Sequence, residues 1–466
     1  MTRTAAIAAA SEHIDSGRFF DDLARRVAIP STAQEPEYRP ALHAYLADEI
    51  SPTLTAMGYD VDVFDNPADG GGPLLVGRRR EGDDLPTVLT YGHGDVVRGL
   101  DGQWRDGLDP WTLTAEGERW YGRGTADNKS QHSINLAALE IVLAERGHLG
   151  FNSTVLIDMS EEIGSPGLRE FAEQRRDLLT ADVLIGSDGP RLVPEEPTLF
   201  LGTRGAMNFG LAVELREGGH HSGNWGGLIA NAGTRLANAI ASLVGPRGEI
   251  RVEALKPAAI PDSVRAALTT VRVDGGPDGP TIDEWWGEPG LTPVERVFAW
   301  NAFEVLSFVT GNPAKVVNAI PPSARAWCQI RFTVDRDPRT FLDAIRAHLD
   351  EHGFDDVIVE QAADDFIMEA TRLLPDHPWV EWAAASVDHT LGRSPMVLPN
   401  LGGSLPNDVF ADVIGVPTIW VPHSYASCSQ HAPNEHVLEP LMREGLAMMT
   451  GLFWDAGDPA NRPAPA

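Results

Sequence analysis

The segment Tyr91-Gly-His-Gly-Asp95 closes an apolar run in His-x-Asp, and two further segments with ionisable groups follow it. One is Arg123-Gly-Thr-Ala-Asp-Asn-Lys129. The other is Met159-Ser-Glu-Glu162, which ends the strand-like run 153–159. His93, Asp127 and Glu162 offer one imidazole and two carboxylates, a mixed nitrogen and oxygen set of the kind a zinc-like divalent ion takes. Asp95 stands two residues past His93, on the same side of an extended chain, where it can orient the imidazole through its other nitrogen. Two adjacent glutamates cannot both face one point on a strand. At a strand-to-loop junction, one of Glu161 and Glu162 can bind metal while the other faces an attacking water. Acidic pairs are ordinarily solvated surface charge, but such a pair rarely ends a buried strand, and functional groups gather at the carboxyl ends of strands in open α/β sheets. Together the three segments describe a metal-dependent hydrolase.

The elements that must position these groups alternate strand and helix to about residue 200, the pattern of a largely parallel α/β sheet. Strands are predicted over 61–64, 74–77, 87–97, 153–160 and 181–188, and helices over 39–57, 128–146 and 167–175. Residues 207–215 and 326–334 alternate apolar and polar like half-exposed antiparallel strands. With helices over 228–244 and 338–353 they form a second, α+β layer with one solvated side. The expected fold is therefore α/β. A metal-binding catalytic domain on a central mixed, largely parallel sheet spans 1–202 and 369–466, and a smaller α+β lid is inserted at 203–368. The Gly-, Pro- and Trp-rich stretch 246–317 is expected to decorate that lid.

A chain of 466 residues is too long for one core of ordinary size. Its formal net charge of −30 argues against a nucleic-acid partner or an anionic membrane surface, and attracts divalent cations without locating them. Cys328 and Cys428 cannot build a disulfide framework, which fits a reducing, cytoplasmic compartment. The first fifteen or so residues make no signal peptide, and no run approaches the roughly 20 apolar residues of a membrane span. No Gly-x-Ser-x-Gly elbow of a serine hydrolase stands out.

Over nearly its whole length, and in order, the sequence resembles the di-zinc aminoacylase, carboxypeptidase G and carnosine dipeptidase family. In that resemblance His93 matches the first metal ligand and Asp127 a carboxylate that bridges two ions, while Glu161 matches the general base and Glu162 a ligand. Asp188, in Gly186-Ser-Asp-Gly189, and His431, in Ser429-Gln-His-Ala-Pro-Asn-Glu435, match the remaining ligands. In the lid, Gly219-His-His-Ser-Gly223 offers His221 as the histidine that helps stabilise the oxyanion, with His220 as the alternative. Asn318 and Arg331 match residues that hold substrate, and Gly402-Gly-Ser404 matches a loop that brings Gly403 and Ser404 to it.

The resemblance implies two divalent ions, zinc first, with manganese or cobalt as alternatives. They would lower the pKa of a bridging water and supply hydroxide near neutral pH. The implied reaction is amide hydrolysis of a dipeptide or similar small substrate with a free carboxylate. An N-acyl-amino-acid deacylase, or an amidohydrolase on a non-peptide amide, would use the same site. The resemblance also implies a homodimer paired through the lids, so that His221 reaches the partner's site. The helix 228–244 and the strand 207–215 are expected to supply the apolar and edge surfaces of that two-fold contact.

Overall fold

The computed structural model describes residues 2–273, 280–362 and 367–463. The run containing the first histidine forms the strand Thr87–His93 in the middle of an eight-stranded mixed sheet. It lies parallel to Asn152–Asp158 on one side and to Val183–Gly186 on the other. These strands are almost wholly buried, as their continuous apolar runs require when both sheet faces are covered. Thr418–Trp420 and Met396–Leu398 add further parallel pairings, while Asp60–Phe64 and Leu74–Arg79 form an antiparallel edge. One face is covered by the helices Arg3–Asp15, Lys129–Arg146 and Glu439–Ala456. Leu168–Gln174 contributes Leu168 and Phe171 to the core on the other.

The expected strand over 87–97 stops at His93. There the N–H of Gly94 bonds to the carbonyl of Asp158 and that of Val96 to Ser31, so the chain leaves the sheet directly after the histidine. A Cβ on Gly92 would stand 2.4 Å from Cβ of His132, and one on Gly94 2.5 Å from the Tyr45 ring. Glycine on both sides of His93 is what lets the strand end pack so closely.

A second, five-stranded antiparallel sheet runs in the order Ala302–Thr310, Ser323–Phe332, Gly205–Glu214, Val357–Gln361, with Ile367–Met368 also pairing with Gly205–Glu214. Ser323–Phe332 buries alternate residues, and the helices Ala232–Leu243 and Phe341–Glu351 pack on that face through Leu236, Leu243, Ile345 and Leu349. The first of these helices begins at Ala232 and not near 228, because the Asn231 side chain caps it by accepting from the N–H of Thr234.

Two further features differ from the sequence expectation. The strand expected over 207–215 is not an edge, since Gly205–Glu214 is hydrogen-bonded on both sides. Val357–Gln361 is one edge, and the other is Ala302–Thr310, which exposes Val305, Leu306, Phe308 and Val309. In addition, part of 246–317 leaves the smaller layer. Ile260, Val264, Leu268, Val294 and Phe298 are buried with Leu398, Leu401 and Trp420 in the core of the larger sheet, whereas Leu255 and Phe303 belong to the smaller core. The chain thus passes between the two cores after Leu201, after Leu255, after Ala299 and again between Ile367 and Leu373. Among the described residues no helix is long and apolar enough to cross a membrane.

Candidate metal centre

The site is assembled from several separate elements. His93 is the last residue of its strand, Asp188 lies two residues past Val183–Gly186, and Glu161–Ile163 is a single 3-10 turn following Asn152–Asp158. Asp127 precedes the helix Lys129–Arg146, and His431 sits in the loop before His436–Leu438. Asp127 is the centre. Its Oδ1 lies 2.9 Å from His93 Nε2, and its Oδ2 lies 3.0 Å from His431 Nε2. Asp188 Oδ2 is 3.6 Å from His93 Nε2, and Glu162 Oε2 is 3.1 Å from His431 Nε2.

Two ligand groups result, His93 with Asp127 and Asp188, and Asp127 with Glu162 and His431. Within each, the donor atoms lie within 4.8 Å of one another. Glu161 stands apart from both groups, its Oε2 3.9 Å from His93 Nε2. Adjacent glutamates diverge in this way because they occupy a tight turn and not a strand.

The charges fit a pair of divalent ions. Four carboxylates face two imidazoles, and the buried Glu162 Oε1 and Asp188 Oδ2 have no hydrogen-bond partner. Burial, then the charge of Asp127, pushes Glu162 up to about 7 and Asp188 up to about 6. Burial also lifts Glu161 well above the ordinary carboxylate range; His93 opposes this, and Asp188, Glu162 and Asp127 add to it. His431 is raised to about 10 by its hydrogen bonds to Asp127 and Glu162. Burial pulls His93 down, but hydrogen bonding to Asp127 and Asp95 outweighs it and holds the ring well above the usual value. Asp127 is the exception, held below the usual range because its bonds to His431 and His93 outweigh burial. Protons are thus retained where positive charge is wanted, and closely spaced N and O donors with bare acceptor atoms suit divalent cations.

The supporting contacts were only partly visible in the sequence. His93 Nδ1 lies 3.0 Å from the backbone oxygen of Asp95 and 3.4 Å from its carboxylate. The hydrogen bond that orients the ring is therefore to the main chain, because the turn after His93 swings the Asp95 carbonyl towards it. The Asp95 carboxylate instead accepts from the N–H groups of Glu161 and Glu162, at 3.1 and 3.0 Å.

Glu435 had no assigned role, although it closes the Ala-Pro-Asn-Glu segment after His431. It is buried, pairs with Arg123 at 2.6 Å, and accepts from the N–H groups of Gly124, Ala126 and Asp127. Gln430 donates to Asp127 Oδ2, and Ser429, His431 and Asn434 adopt φ of 58°, 60° and 65°. Non-glycine residues in this left-handed region mark a loop whose backbone is held in place by its surroundings.

A cavity of about 390 Å³ opens from Asp127, Glu161, Asp188 and His431 onto Gly402, Gly403, Ser404 and Leu405. Arg331 Nη1 donates to Ser404 Oγ at 3.0 Å, and Ser404 Oγ donates to the carbonyl of Arg204 at 2.7 Å. Gly403 and Ser404 therefore line the cavity, and Arg331 stands behind Ser404, hydrogen-bonded to it, without lining the cavity itself. His221 and Asn318 do not line it. They are exposed neighbours on a small ribbon in which His220–His221 pairs with Ala319–Ile320 and the N–H of Ser222 donates to the Asn318 carbonyl.

The profile of the peptidase family M20/M25/M40 matches residues 89–455. A cysteinylglycine-S-conjugate dipeptidase from Corynebacterium striatum is 27% identical over 405 residues, 84% of this chain and 84% of that protein. The Beta-Ala-His dipeptidase of Homo sapiens is 24% identical over 468 residues, 93% of this chain and 89% of that protein. Among solved structures, human carnosine dipeptidase 1 superposes with a TM-score of 0.76 at 21% identity, covering 98% of this chain and 99% of that one.

Glu435→Ala leaves the Arg123 charge buried and unpaired, and frees the N–H groups that hold Asp127 in place. We expect it to lower the unfolding free energy by about 3–5 kcal/mol and to reduce bound metal; an unchanged denaturation midpoint would contradict this. A second expectation concerns pH. In the metal-free protein Glu162, Asp188, His93 and His431 keep protons that the unfolded chain releases, so the contribution of this site to stability falls as pH rises from about 5 to about 8, against the opposite contribution of His132 and His423, which burial holds well below the usual value. Bound cations replace those protons and flatten the profile. Thermal melts with chelator and with metal read the difference, and a stabilisation by metal that does not grow across this interval refutes it.

Proposed function

The chain belongs to the peptidase family M20/M25/M40, and from that premise we propose that it is a dipeptidase acting on small peptides with a free carboxylate. The observation that carries this reading is Asp127 shared between two ligand groups, with Glu161 beside them and in neither. The dipeptidase names of relatives that align over most of their length and most of this chain support it. His93, Asp127 and Asp188 would hold one ion and Asp127, Glu162 and His431 the other, zinc first, with manganese or cobalt as alternatives. When bound, two such ions polarise a carbonyl and lower the pKa of water.

The side chains do the rest. Glu161 takes a proton from the attacking water and passes it to the leaving amine. Asp95 holds the turn that aims Glu161 and Glu162. Arg331 binds the terminal carboxylate with its planar fork, beside Gly403 and Ser404, a contact lysine cannot reproduce.

His221 and Asn318 act in this proposal from a partner subunit, His221 on the oxyanion and Asn318 on the substrate. The edge strand Ala302–Thr310 supports such a homodimer, because an open strand edge carrying Val305, Leu306, Phe308 and Val309 calls for cover. We divide the chain into a catalytic part, 1–202 and 369–466, and an inserted part, 203–368, with 260–273 and 291–299 packing against the former. The free, buried Cys328 and Cys428 favour a cytoplasmic setting.

A screen of dipeptides, their C-terminal amides and N-acetyl amino acids, with zinc, manganese and cobalt in turn, tests the reading. Dipeptides should be cleaved with the highest kcat/KM and their amides poorly; preference for N-acetyl amino acids would make the enzyme a deacylase. Glu161→Gln should keep its metal and lose turnover by about 10²–10⁴, whereas Glu162→Gln should mainly weaken metal binding. Identical phenotypes would overturn the division of roles. Mixing inactive His221→Ala with inactive Glu161→Gln subunits should restore part of the activity, and mixed dimers without activity would exclude a shared site.

A further inference from the structure

The cavity beside the ligand groups has a second character. Apart from Asp127, Glu161, Asp188 and His431, none of its described lining residues is charged. Its walls are Leu192, Phe200, Val297, Phe298, Leu401 and Leu405. Phe200 ends the strand Thr198–Phe200 and Phe298 ends the helix Pro293–Phe298, and both are 1% exposed. These rings are fixed by the core behind them, so the wall cannot fold away to admit solvent around a charged group. Val297 and Phe298 come from the stretch 291–299, which with 260–273 packs on the larger sheet.

The volume of about 390 Å³ exceeds what a glycyl residue fills. A charged side chain laid against these six apolar residues would lose water without gaining a partner from them, Ser404 and Gln430 being the uncharged polar side chains of the lining. An aliphatic or aromatic side chain would gain contact along them, and one methylene in such a pocket is worth about 10–200-fold in kcat/KM.

On the basis of the amide hydrolysis proposed above, we infer that this cavity is a specificity pocket for one bulky apolar side chain, of the leucine, methionine or phenylalanine class, on a residue flanking the scissile amide, and that Val297 and Phe298 of the inserted segment form part of its wall. The helix Pro293–Phe298 is thereby a determinant of substrate choice.

The experiment compares kcat/KM for Leu-Gly, Gly-Leu, Gly-Gly, Asp-Gly and Lys-Gly on the metal-loaded enzyme. One of the two leucyl substrates should exceed Gly-Gly by at least about 10-fold, and Asp-Gly and Lys-Gly should not. Val297→Asp and Leu192→Asp place a charge on the wall from two different elements, both half-buried positions. Each should lower the ratio of leucyl to glycyl turnover by about 10-fold or more. Gly-Gly or a charged substrate turned over as well as the leucyl pair overturns the inference, as does a ratio that neither variant changes. The same ratio is read on N-acetyl-leucine against N-acetyl-glycine. Failure to cleave any dipeptide therefore counts against the proposed function, while the pocket stands or falls on the ratio alone.

Discussion

Crowding of like charge is the constraint on which the rest of the structure depends. Asp127, Glu161, Glu162 and Asp188 converge where burial makes each negative charge expensive, and two imidazoles do not neutralise them. Left to a flexible backbone such groups would separate. Here they are carried by three separate elements: the loop before Lys129–Arg146, the turn Glu161–Ile163 and the end of Val183–Gly186. Asp95 fastens the turn of the two glutamates, and Glu435, neutralised by Arg123, gathers the backbone N–H groups that lead into Asp127. Lys129, directly after this loop, buries its ammonium against the carbonyls of Arg26 and Ile29 and so ties the N-terminal helices to the same place.

How legible this was in the sequence depended on how each residue advertises its setting. His93 and the Glu161-Glu162 pair could be read from their residues because apolar runs lead into them, and a charge at the end of a buried run needs a reason. His431 sits in ordinary loop chemistry and only family resemblance singled it out, whereas Asp188 matched the resemblance and also followed a buried run. Asp95 was recognised as important, yet the sequence could not say whether its carbonyl or its carboxylate meets the histidine, since that turns on one backbone rotation after residue 93. The importance of Glu435 was masked because an acid near the surface of a loop and an acid beneath it look alike as letters.

The smaller layer was read less well for a related reason. Alternation reports which face of a strand is wet, but not how many neighbours the strand has, so Gly205–Glu214 gave no sign that it is paired on both sides. Ala302–Thr310 does not alternate cleanly, and its register slips between Val305 and Ser307, as expected for a strand with a bulge. Between Ile260 and Ala299 the apolar residues are spread among glycines and prolines, and only the packed structure reveals that they face the larger sheet.

That packing bears on how the molecule can move. Two layers joined by one pair of adjacent strands can swing like a door, with the φ and ψ change absorbed at the joint. Here the paired strands Gly202–Thr203 and Thr371–Arg372 would make such a joint, but the polypeptide also goes back and forth at 255–260 and 299–303. Every additional tether lying off a common axis removes rotational freedom. Adjustment around a bound molecule is then limited to small sliding displacements of packed elements. In mechanical terms the enzyme is closer to a vice with a short travel than to a book that opens and shuts.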